Sequence, residues 1–129
     1  MTGPGFEDEV SALLAEYRET AVQWDGLQNL EALKRKGNAK RANTVFRANH
    51  ALYKRLRMNE AGRMGIAQLM SDPLIGVRVL AATDSLAWMP EEAIAVLEDI
   101  HRNQDSGLHA VTAKYTLLAH RGGTLDLDW

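Results

Sequence analysis

Positive charge supplies the densest chemistry in this sequence. Lys40, Arg47 and Lys54 recur at seven-residue spacing, with Lys36 and Arg55 close by. On a helix that spacing is two turns, about 10.5 Å at a rise of ~1.5 Å per residue, so the three heads form one row. A row of cations can dock carboxylates of an acidic protein, bind phosphates, or remain a solvated face. The surrounding charge is uneven. From Met1 to Glu31 seven acids stand against Arg18, a balance of -6; from Ala32 to Arg63 ten bases stand against Glu60, a balance of +9; the remainder carries -5. The chain is therefore an acidic protein with a basic island, net -2 and pI about 6.1. Nucleic acid is the weaker expectation, because no aromatic residues interleave with the row and the whole protein is acidic.

Other reactive groups read as structural. His50, His101, His109 and His120 form no compact histidine pair with an acid at helical ligand spacing, which argues against zinc. Ser11, Ser71, Ser85 and Ser106 lack a nucleophile elbow, and Glu91-Glu92 reads as helix-terminal charge. Gly122-Gly123 has no following helix or lysine to cradle a phosphate. With no cysteine there is no disulfide, thiolate nucleophile or redox motif. No enzyme, metal or cofactor is expected. A small-molecule or catalytic pocket near Asn49 and His50 would require a cavity, which only the fold can supply.

The elements that must position these groups are helical. Strict alternation is missing, and apolar residues recur at spacings of three and four. The pattern predicts one domain of 129 residues, with a core over residues 6–121 and a tail over 122–129. Helix one runs over 7–24, and Leu27, Leu30 and Leu33 continue it beyond a break at Asp25-Gly26 towards Gly37. Asn38 is the expected N-cap of helix two, 39–57, whose apolar side holds Val45, Asn49, Tyr53 and Leu56 with the basic row opposite. Asn43 and Asn49 read as satisfied polar groups on or beside that side. A short third helix follows Asn59. Asp72-Pro73 opens a fourth, 73–88, apolar nearly all round and so in need of cover from several neighbours. A fifth begins at Pro90, Asn103–Gly107 is a loop, and a sixth spans 108–121. The tail stays loose unless Leu125, Leu127 or Trp129 docks.

The stretch DPLIGVRVLAATDSLA, followed by PEEAIAVL, resembles a HEAT-type helical repeat. Its aspartate-proline, valine-arginine and paired alanines carry the likeness, and residues 107–119 resemble a weaker second unit. With Ala42-Asn43 ahead of the repeat, the chain is similar to short bacterial HEAT-like proteins of unknown function, over roughly residues 7–121. The stretch between Tyr17 and Asn43 is longer than that family's pattern. The resemblance implies a short all-α solenoid of about six helices in antiparallel pairs. It also implies pairing of Asp72 with Arg78, and, for some members, a role as immunity partners of toxins.

These readings converge on a non-enzymatic protein-binding module. The expected contact is Lys36, Lys40, Arg47, Lys54 and Arg55, and the expected partner is another protein, such as a toxin with an acidic surface. No leader or bilayer-spanning run is evident, so a cytoplasmic location and no membrane contact are expected.

Overall fold

A computed structural model describes residues 4–129; Met1–Gly3, part of the opening read for a leader, lie outside the described residues. Among the described residues there are seven α-helices and no strand. They are α1 (Pro4–Gly26), α2 (Leu30–Lys34), α3 (Asn38–Leu56), α4 (Glu60–Gln68), α5 (Ile75–Ser85), α6 (Pro90–Arg102) and α7 (Leu108–Arg121). None is long and apolar enough to cross a membrane.

The extra helix arises where helix one was expected to continue. Asn29 adopts an extended backbone and its side chain accepts from the Ala32 amide at 2.8 Å, so α2 starts afresh with its own cap. Asn38 does not cap α3. That position belongs to Gly37 at φ 87°, a left-handed conformation suited to glycine, while the Asn38 side chain donates to the Ala32 carbonyl at 2.8 Å.

The apolar helix α5 lies at the centre, in contact with α1, α4, α6 and α7. This is the cover that its lack of a polar face demands. It starts at Ile75, not Pro73, because Leu74 is extended and its amide bonds back to the Asp72 carboxylate at 3.0 Å. It ends at Ser85, short of Trp88, and the Ser85 carbonyl accepts from the Trp88 amide at 3.2 Å and the Met89 amide at 2.7 Å in the turn that follows.

The expected Asp72–Arg78 side-chain pair does not form. Asp72 takes the Arg18 guanidinium of α1 at 2.7 Å, which holds its carboxyl below the usual range, and Arg78 donates to the Asp72 and Pro73 carbonyls. Asp25, at the end of α1, reaches α5 in a similar way: its carboxylate accepts from the Gly76 amide and from His109 Nε2, both at 2.9 Å. A Cβ at residue 76 would collide with that carboxylate, so glycine is required for the approach.

Within the expected 103–107 loop, Gln104–Ser106 form a 3-10 turn. On α7, Ala113 and Leu117 face the core while Val111, Tyr115 and Leu118 face solvent. The final segment docks: Leu125 and Leu127 pack against the core, and the Trp129 ring stacks on His50 at 3.8 Å between centroids.

Candidate functional site

Helix α3 presents two different surfaces. Its inward residues, Ala42, Val45, Asn49, Tyr53 and Leu56, are buried largely against α1. Asn49 is satisfied there, donating to the Tyr17 carbonyl and the Thr20 hydroxyl, both at 3.0 Å, whereas Asn43 is exposed. Fixing this face against α1 leaves Lys40, Arg47 and Lys54 exposed on the other. Among the described residues, none of the three makes an ion pair.

Two members of the expected contact stand apart from the row. Lys36 is exposed in the turn before α3. Arg55 lies nearer α1, where its guanidinium is 3.7 Å from Glu9 and shares a shallow groove with Glu16 and Glu19. The acidic first helix therefore compensates part of the basic island and leaves the row itself uncompensated.

A cavity of about 180 Å³, partly open to solvent, lies along another edge of α3. Phe46, His50 and Tyr53 of α3 meet Leu80 and Thr83 of α5, and Leu125, Leu127 and Trp129 cross over to complete the wall. Three contacts hold the crossing segment. His50 Nε2–H donates to the Trp129 carbonyl at 3.1 Å, Arg57 donates to the Asp128 carbonyl at 3.1 Å, and the Tyr53 hydroxyl approaches the Leu127 carbonyl at 3.5 Å.

Asp84 of α5, half-buried, lines the cavity beside the buried Asn49. Its Oδ2 accepts from the wholly buried Tyr17 hydroxyl at 2.6 Å; among the described residues its Oδ1 has no hydrogen bond. Burial pushes the Asp84 carboxyl up to about 7, although the Tyr17 bond and the Arg57 charge favour the ionised form. Burial also drives the Tyr17 hydroxyl well above its ordinary value, and the Asp84 charge adds to that. His50 is lowered by burial first, opposed by its bond to Trp129, with the charges of Lys54 and Arg57 adding to the depression.

Sequence reasoning located Asn49 and His50 but missed Tyr17 and Asp84 as functional groups. The available signal was a solitary acid near the end of a helix otherwise free of acids, where every face needs cover. The other histidines remain apart: His109 is buried on Asp25 and tilted against Trp24, and His101 and His120 lie on α6 and α7.

No family model, no curated protein and no solved structure matches the chain.

Proposed function

We infer that this chain is a non-enzymatic protein-binding module that receives an acidic surface on the outward face of α3. The observation that carries this reading is the row Lys40, Arg47 and Lys54, solvent-facing and without carboxylate partners on a helix anchored by its opposite side. A prearranged row on a rigid helix loses little conformational freedom on association, and its unpaired charge accelerates encounter with an acidic partner.

The specific form of the proposal is an immunity protein that occludes a cognate toxin, as the HEAT-like resemblance implies. A short stack of helix pairs is the corresponding architecture. The central position of α5 and the outer apolar row of α7 are compatible with such a stack. Lys36 and Arg55 would border the contact, with Arg55 exchanging its Glu9 contact for one with the partner.

Co-expression with the product of an adjacent toxin gene, followed by co-purification, tests the proposal. A stable complex lost in the Lys40→Glu, Arg47→Glu, Lys54→Glu variant is the expected result; a complex unaffected by those three changes removes this face as the contact. Nucleic acid is the competing partner. It would reveal itself as binding to duplex or single strands that weakens steeply with added salt.

A further inference from the structure

We propose that the cavity between α3, α5 and the final segment binds a compact organic cation, with its ammonium group on Asp84 Oδ1 and its hydrocarbon part against the aromatic wall. The site lies away from the basic row and does not depend on the protein-docking reading. Its volume, about 180 Å³, is below the roughly 300–1,000 Å³ typical of drug-sized ligand pockets, so the guest is small.

The lining selects its charge. Two acids, Asp84 and Asp126, line the cavity and no lysine or arginine does, although α3 is the most basic segment of the chain. Phe46 and Trp129 provide aromatic surface, which attracts cations through the ring quadrupole and shelters alkyl groups, while the Tyr53 ring already carries the Arg57 guanidinium 5.1 Å from its centroid. Asp84 has one oxygen fixed by Tyr17 and the other without a bond among the described residues. The carboxylate is thus oriented before a guest arrives, and an ammonium N–H supplies the missing donor.

The groups facing Asp84 determine how binding depends on pH. Tyr17 from α1 donates to it; His50 and Tyr53 approach from α3 and Arg57 from just past its end; Asp126 lies on the crossing segment. An ammonium favours ionised Asp84, so binding expels a proton wherever the empty site is protonated. With Asp84 at about 7, affinity is expected to be on the order of tenfold or more weaker at about pH 5.5 than at about pH 8. Protonation of His50 on the acid side acts in the same direction.

The full chain, labelled with nitrogen-15, is to be titrated with butylammonium, butan-1-ol and butyrate while the Asn49 side-chain amide and Trp129 indole signals are followed. Butylammonium is expected to give saturable shifts and to bind at least about tenfold more tightly than the alcohol, with butyrate weakest. Asp84→Asn keeps an acceptor for Tyr17 and is expected to erase the preference for ammonium. Thr83→Leu, which adds volume at the wall, is expected to weaken every guest. Equal affinity for ammonium and alcohol, an intact preference in Asp84→Asn, or no saturable shift in the millimolar range at about pH 8 would overturn the proposal.

Discussion

One helix, α3, carries two kinds of polar surface that obey opposite rules. Along its outer face, Lys40, Arg47 and Lys54 keep their charge in water and have no carboxylate partner among the described residues. Along the edge formed by Phe46, His50 and Tyr53, the facing acid is Asp84, drawn out of water and pushed towards neutrality. Water screens the first set, so removing a charge there costs the fold little. The second set has lost much of its solvent, so each donor and proton carries a large share of its energy. The contrast suits the row to the proposed long-range docking and the cavity to the proposed short-range selectivity.

The strongest way to break this contrast is to remove the charge of Asp84. Its folded value of about 7 exceeds the ordinary 3.8, so between those values the folded state binds more protons than the unfolded state. Stability therefore declines as pH rises through that window and levels off above it. The full penalty is at most about 4 kcal/mol, and less where water reaches the carboxyl through the cavity mouth. His50 acts oppositely: its depressed value means stability is lost as pH falls below its ordinary 6.5. Urea unfolding of Asp84→Asn at a series of pH values should show greater stability than wild type near pH 8 and, between pH 3.8 and about 7, the His50 slope without the opposing slope of Asp84. A variant less stable than wild type near pH 8 would contradict the burial of that charge.

Tyr17→Phe probes the same pair from the other side. It removes the donor to Asp84 Oδ2 while retaining the buried ring. The expected loss is about 2 kcal/mol near pH 8, where the hydroxyl serves an ionised acceptor, shrinking to about 1 kcal/mol near pH 5. The Asp84 carboxyl should titrate still higher in this variant, as followed by carbon-13 shifts. An equal loss at both pH values would mean that Asp84 does not change its charge between them.

How much of this was legible beforehand depended on the reach of each interaction. The basic row was readable because a seven-residue repeat on a helix fixes which side chains share a face, and the apolar residues opposite fix which face is turned to water. The burial of α5 was readable from its missing polar face. The separate start of α2 was available in Asn29, three residues before the amide it caps, but the leucine spacing across that cap imitated continuity. Asp72 was correctly marked as a structural acid and given the wrong partner: Arg78 lies nearby in sequence, whereas Arg18 is brought from 54 residues away by the packing of α1. Asp84 and Tyr17 are 67 residues apart, and the docked segment settles on a surface that exists only after α3 and α5 meet. Local periodicity carries no information about such pairs.

Trp129→Ala tests the crossing segment at smaller cost. The ring stacks on His50 and lies 6.2 Å from Phe46, while the carbonyl that His50 uses belongs to the backbone. Loss of the ring should cost about 1 kcal/mol and return water to His50, raising its titration towards the ordinary histidine value. Proton NMR titration of the His50 ring provides the measurement, and an unmoved midpoint would show that Trp129 does not shield it.

The smallest stability effect belongs to the row, for a reason that can be tested one charge at a time. Lys40 sits in the first turn of α3 and Lys54 in its last, so the first opposes the helix dipole and the second complements it. Lys40→Glu should stabilise the isolated chain by about 0.3–1 kcal/mol, Lys54→Glu should destabilise it by a similar amount, and Arg47→Glu in the middle should stay within about 0.5 kcal/mol. The triple variant is then nearly neutral in thermal unfolding while presenting three fewer positive and three more negative charges to the proposed acidic partner. Loss of partner binding with an unchanged Tm would attribute the row to recognition. A large drop in Tm would show that these cations stabilise the fold, and the contrast between the two surfaces of α3 would disappear.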